Sequence, residues 1–343
     1  MWQMSPFTLP VAFLALSTIR AIDCLRSSDT VDHLQILARH GERNPLFPVP
    51  ELGEFQIGGL TPRGYELEKE FGKRLLLWYP ELFAASPTIT CISANQSRCV
   101  DSAEAIVEGL GFKEYNTEVL YMLDFVDLDV TLIRPFLMEA NEILLPACVQ
   151  EAVSAVIAPT KENSPPSLSA LAEGLFKAQI ADSIDTLLQS GYTGTVFGVN
   201  LGKCIPSGKK LVSEKAFAKL ADICASSQCT DVVRKVKDEL QEFSVQNLPP
   251  RSVTRSVSVY GLSDNHVLDL LKSLLPQFNH TRPQFGGYIL LESRGDDVTI
   301  LTGQDVFSLP EERAVLNVHE VIQLLRRRIL TAERTFANGN QSR

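Results

Sequence analysis

The stretch Arg39-His40-Gly41-Glu42-Arg43-Asn44-Pro45 sets a histidine between two arginines directly after an apolar run, Leu34 to Ala38. These residue types suit phosphoryl transfer. A neutral imidazole nitrogen can attack phosphorus, and guanidinium groups offer planar donor forks to phosphate oxygens and hold the charge that grows in the transition state. The chain has five histidines in 343 residues, so the placement of His40 is no by-product of a His-rich composition. A lone Arg-His-Gly is a weak signal whose ordinary explanation is a basic surface turn. Arg-His-Gly-x-Arg-x-Pro is far more specific.

A group that attacks must be held by something rigid. Leu34 to Ala38 reads as a buried strand that delivers the motif to its carboxyl end, where open α/β sheets bind their ligands. After the loop 46–60, Thr61 is placed to cap a helix and Pro62 suits its first turn; Tyr65, Phe71, Leu75 and Leu76 give an apolar face through about Tyr79. Thr88 to Ser93 alternates as a second strand. Ser97 to Leu110 follows as a helix with Val100, Ala103, Val107 and Leu110 on one face. Arg98 falls in the first turn of that helix, where free backbone N–H groups and the helix dipole favour an anion. Strand character returns at Ser256 to Tyr260, and a helix begins near Asp264 with Val267, Leu268, Leu271, Leu274 and Leu275 inward. Two further strand-like runs cover Gly287 to Glu292 and Val298 to Thr302, and a last helix spans Val318 to Leu330. Between about Asp124 and Pro250 the pattern changes to helical segments and Pro-rich joints such as Ser164-Pro165-Pro166-Ser167.

With 45% hydrophobic residues over this length the chain can bury a large core. A net charge of -9 and a pI near 5.2 exclude the broad basic face that a nucleic-acid partner requires, while leaving room for a local cationic pocket. Phe7 to Leu16 is an apolar run followed by small and polar residues up to about Ala21, which reads as a signal peptide over residues 1–21. A membrane anchor is the competing reading, but the run is well short of the ~20 residues a spanning helix needs, and no anchor is expected. In a secreted chain the seven cysteines (Cys24, Cys91, Cys99, Cys148, Cys204, Cys224 and Cys229) are expected to pair in part as disulfides, with at least one unpaired or intermolecular. Their spacing lacks the two-by-two clustering of a zinc site, so no metal and no cofactor is expected. Asn95, Asn279 and Asn340 head sequons compatible with glycosylation, Asn95 lying too near the motif to favour a glycan.

Arg39 to Pro45 resembles the signature of the histidine phosphatase superfamily, specifically its histidine acid phosphatase branch, and Leu60-Thr61-Pro62-Arg63-Gly64 is similar to the segment that follows that signature. The resemblance runs from about residue 33 to 330, its middle portion in character only. It implies an α/β fold, a three-layer sandwich with a mostly parallel sheet plus an inserted helical cap domain. Residues 22–123 and 251–343 would form the discontinuous core and 124–250 the cap. It also implies that His40 becomes transiently phosphorylated and that Arg39, Arg43 and Arg98 ligate the phosphate. Asp264 matches the residue that protonates the leaving alkoxide. Gly41 fits as the residue that lets the backbone pass close to the phosphate.

The pattern breaks at one position. The branch usually carries a His-Asp pair after Tyr-x-x, whereas this chain reads Tyr260-Gly261-Leu262-Ser263-Asp264-Asn265-His266, with Ser263 in place of the second histidine. A hydroxyl offers one neutral donor there, and loss of one transition-state donor typically costs ~10²–10³ in turnover. His266, three residues on along the same helix face, is a candidate partial replacement beside the plainer role of a helix-surface histidine. Asp264 must start protonated, which suits an acidic working pH or a raised pKa; with Ser263 it also reads as a helix cap. The expectation is a secreted or lysosomal acid phosphatase acting on phosphomonoesters, its turnover lowered by Ser263 and restored in part by Ser263→His. The alternative is a secreted, catalytically weak phosphatase-like binding protein.

Overall fold

The computed structural model describes residues 31–120, 146–150, 154, 166–205, 211, 230–246, 255–278 and 280–341. The expected signal peptide, Cys24, Cys224, Cys229 and Asn279 lie outside the described residues. The first strand, β1 (His33–Arg39), is buried along its whole length, as a strand covered on both faces must be. It is followed by α1 (Pro62–Trp78), whose cap is the one its residue types predict: the Thr61 hydroxyl accepts the Gly64 N–H at 2.9 Å. Next come β2 (Thr88–Ala94), α2 (Ser97–Gly109) and β3 (Asn116–Leu120). The middle of the chain contributes α3 (Pro166–Gln189), a small hairpin of β4 (Thr195–Val196) and β5 (Val199–Asn200), and α4 (Thr230–Gln246). The last third supplies β6 (Ser256–Leu262), α5 (Asp264–Leu274), β7 (Tyr288–Arg294), β8 (Asp297–Gly303), β9 (Glu311–Asn317) and α6 (Val318–Gln341).

Seven strands form one sheet in the order β3-β2-β6-β1-β7-β8-β9. β3, β2, β6 and β1 pair in parallel, and β8 runs with them, while β7 and β9 run the other way. The sheet is therefore mostly parallel. Alternation along the strands feeds two cores. Leu34, Ile36 and Ala38 of β1 pack with Phe71 and Leu75 of α1 and with Ile106 of α2. Leu37, on the other face, joins Val267 of α5, Val321 and Leu325 of α6, and Val232, Val236 and Leu240 of α4. The result is helices on both sides of the sheet, and α4, from within the 124–250 stretch, shares the core of the second layer. A third cluster gathers Ile180, Ile184 and Leu187 of α3 with Val49, from the loop after the motif, and Leu268 of α5. A disulfide, Cys148 to Cys204, ties this region together across 56 residues of sequence. Cys91 and Cys99 are buried free thiols. Among the described residues no helix is long and apolar enough to cross a membrane.

The sheet order decides where the functional residues meet. β6 lies between β2 and β1, so the carboxyl ends of three adjacent parallel strands, ~4.8 Å apart, face one crevice. Arg39 pairs with Leu262 and Ser93 with Gly261. His40 follows β1, Ser263 and Asp264 follow β6, and α2 with Arg98 begins three residues after β2.

Candidate active site

His40 is 1% exposed and held by backbone on both sides. Its N–H donates to the Leu262 carbonyl at 2.8 Å, and its carbonyl accepts from the Gly286 N–H at 3.3 Å. The side chain is set by one further contact: Nδ1 lies 2.8 Å from the Gly41 carbonyl oxygen. A carbonyl can only accept, so Nδ1 carries the proton and Nε2 keeps its lone pair. Burial, then the positive charges of Arg98, Arg39 and Arg43, drive the imidazole's proton affinity well below its ordinary 6.5, with Asp264 pulling the other way. A neutral ring with a free Nε2 is the state a nucleophilic histidine needs.

Around it stands a cage of guanidiniums. Arg39, 1% exposed, donates from Nη1 to the Pro283 carbonyl at 2.7 Å and from Nη2 to Asp264 at 3.3 Å, and its carbon lies 4.4 Å above the centre of the Phe285 ring. Arg43 donates to Asp182 of α3 at 2.6 Å. Arg282 bridges the two carboxylates, reaching Asp264 at 2.6 and 2.9 Å and Asp182 at 2.9 Å. Four guanidiniums, Arg39, Arg43, Arg98 and Arg282, against the carboxylates of Asp182 and Asp264 leave two positive charges beside a neutral His40. The Nε groups of Arg39, Arg43 and Arg98 are buried without a hydrogen-bond partner among the described residues. Buried donors are nearly always satisfied, so three guanidinium N–H groups unpaired among the described residues are available to a further acceptor.

The family profile of the histidine phosphatase superfamily (branch 2) matches residues 47–152. That match begins just past the motif and so stands independently of it. Among solved structures, Hafnia alvei phytase in complex with myo-inositol hexakis sulphate superposes with a TM-score of 0.54 at 14% identity, over 88% of this chain and 98% of that one. Klebsiella sp. ASR1 phytase gives 0.51 at 14%, over 87% and 96%. Bifidobacterium longum multiple inositol polyphosphate phosphatase with inositol hexasulfate gives 0.52 at 11%, over 89% and 94%. No curated protein matches the sequence. The chain shares the fold of these phosphatases, a mixed α/β fold with a mostly parallel sheet and helices on both sides.

Within this fold, the six residues proposed from the sequence for catalysis and substrate binding, Arg39, His40, Arg43, Arg98, Ser263 and Asp264, lie at or just beyond the carboxyl ends of β2, β6 and β1 or at the helices that start there. Two expectations take a different physical form. Gly41 is required by packing: a Cβ there would lie 2.8 Å from the Gly64 carbonyl oxygen and 3.1 Å from Glu68. The proton affinity of Asp264 moves down, not up. Burial favours its neutral form, but Arg282 and Arg39 outweigh burial and hold the carboxyl well below its ordinary value. Three site residues carried no motif. Arg282 and Asp182 pair across 100 residues of sequence, a separation no local spacing rule reaches. Asp182 stands on α3 directly after the buried Ile180 and Ala181. Glu68 of α1 lies fully buried beneath the His40 loop with neither carboxyl oxygen paired among the described residues, and burial pushes its proton affinity well above 4.5.

Proposed function

We propose that this chain is a metal-independent phosphomonoesterase that works through a phosphohistidine on His40. The observation that carries the reading is a neutral, oriented imidazole with a free Nε2 inside a guanidinium cage that retains unpaired donors. In the first step Nε2 attacks phosphorus and the bond to the ester oxygen breaks, while Arg39, Arg43 and Arg98 take the charge that builds on the phosphoryl oxygens. The leaving alkoxide takes a proton through Asp264. As the arginines turn to the phosphate they relax their hold on that carboxylate and raise its proton affinity. Below pH ~6 the phosphate ester is itself monoanionic, so acid favours this step. In the second step water attacks the phosphohistidine with Asp264 as base, releasing inorganic phosphate and restoring His40.

The cage holds charge for one phosphoryl group, which favours simple phosphomonoesters over densely phosphorylated substrates. A route through the secretory pathway accords with the Cys148–Cys204 disulfide. Wild type and His40→Ala, assayed on an aryl phosphate from about pH 4 to about pH 8, test the reading, together with trapping of an acid-labile phosphoenzyme. Turnover and phosphoenzyme confined to the wild type are expected. Equal rates in the two proteins would leave the second reading, a phosphate-binding protein without turnover, for which Ser263 is the motivating residue.

A further inference from the structure

Ser263 and His266 form one unit at the head of α5. The Ser263 N–H donates to Nδ1 of His266 at 3.3 Å, and the Ser263 Oγ lies 2.6 Å from the same nitrogen. With its lone pair accepting from Ser263, Nδ1 is unprotonated and the ring proton resides on Nε2. His266 is 1% exposed, and Nε2 has no hydrogen-bond partner among the described residues. Burial comes first among the influences on this ring and, with the charge of Arg98, lowers its pKa to about 4 against the opposing pull of Asp264. Arg98 and Asp264 are also among the charges that act on His40, so the two imidazoles feel two charged groups in common. A helix-capping role accounts for Nδ1 but not for the rest. A Glu, the residue type that often closes a capping box at this position, would cap equally well and leave no buried donor unpaired.

We propose that His266 is a catalytic residue of this site, its Nε2–H supplying to the phosphoryl group the donor that Ser263 cannot, with Ser263 holding the ring in the donating tautomer. This rests on the phosphatase reading and completes it: the position of the absent histidine is served by a ring that starts one helical turn later and is folded back onto the cap. It also reverses the expectation for Ser263→His in the wild-type background, where the new ring would displace His266 and break the Ser263 contact.

The test uses the full chain and four variants: His266→Ala, His266→Gln, Ser263→His, and Ser263→His combined with His266→Ala. With an aryl phosphate, His266→Ala is expected to lower kcat by ~10²–10³ with a smaller change in KM. His266→Gln, which keeps an N–H donor, and the double variant should recover part of the loss, while Ser263→His alone brings no gain. A kcat for His266→Ala within about twofold of wild type overturns the proposal. Inorganic phosphate provides an arm that needs neither turnover nor mutation. The Nε2 proton resonance of His266 in the wild type should move when phosphate is added, and the His266→Ala protein should bind phosphate at least about tenfold more weakly. Phosphate that binds without moving that resonance, or binds both proteins equally, refutes the donor role. An inactive wild type in which the resonance does move defeats the phosphatase reading alone.

Discussion

Arg282 is the hinge of the site's electrostatics, and replacing it with methionine isolates its effect on Asp264 while keeping much of the side-chain volume. In the wild type Asp264 receives two bonds from Arg282, at 2.6 and 2.9 Å, against one from Arg39 at 3.3 Å. An opposite charge at this range typically depresses a carboxyl by about 1–3 pH units. Arg282→Met should therefore raise the proton affinity of Asp264 by that much, about 1.4–4 kcal/mol in favour of its protonated form. If Asp264 delivers the proton to the leaving group, the alkaline limb of the kcat–pH profile moves upward by the same interval, kcat being the quantity that reports the bound complex.

The stability consequence has a definite sign. Asp264 has a folded pKa below its unfolded 3.8, so it stabilises the fold above that pH, and the contribution is lost as pH falls through the folded value. In the variant the folded value rises, this stabilisation shrinks at neutral pH, and acid unfolding begins at a higher pH. Asp182 loses a partner as well. The side chains of Arg282, Asp264 and Asp182 are 7%, 13% and 17% exposed, buried enough that breaking the pairs should cost about 3–5 kcal/mol at neutral pH. A domain with about 5–15 kcal/mol in hand still folds. Urea titrations at several pH values and kcat–pH profiles of both proteins measure the two effects. A kcat limb that stays in place while the stability falls would show that Asp264 is not the group whose protonation limits turnover.

Two further perturbations address the support beneath His40. Gly41→Ala places a methyl 2.8 Å from the Gly64 carbonyl, so the loop or α1 must shift. We expect about 1–3 kcal/mol of destabilisation and a loss of kcat larger than stability alone explains, read by thermal melting and kinetics; a fully active Ala variant would mean that the loop yields freely. Burial holds the Glu68 carboxyl well above its ordinary 4.5, against the opposing charge of Arg39. Its contribution is present below that unfolded value and is lost as pH rises towards the folded one, because the unfolded chain releases a proton that the native state retains. Glu68→Gln should flatten this decline between acid and neutral pH in urea unfolding, and identical slopes in the two proteins would show that Glu68 finds a partner for its charge.

What could be read beforehand follows from how far each signal reaches along the chain. β1, β2, β6 and the helices after them were legible because their alternation, caps and apolar faces are local, and the parallel order then carried His40, Arg98 and Asp264 to one edge. β3, whose residues are Asn116-Thr117-Glu118-Val119-Leu120, and β9, which begins Glu311-Glu312-Arg313, are the edge strands of the sheet. An edge strand has one free side and is polar by necessity, so neither announced itself. α6 runs to Gln341, past the expected Leu330, since its final turns carry no apolar stripe to follow.

The same distinction separates the components of the site. A motif records which groups occupy the crevice, whereas their protonation depends on partners brought in by the fold. Asp264 reads from its neighbours in sequence as an acid, yet Arg282, eighteen residues on, keeps it a carboxylate. Arg43 reads as a free phosphate ligand, yet Asp182, from a helix 139 residues away, accepts its hydrogen bond. Under the proposed function a phosphoryl group would compete with Asp182 and Asp264 for Arg43, Arg39 and Arg282, so phosphate affinity would carry the cost of loosening these ion pairs, the one from α3 to Arg43 included.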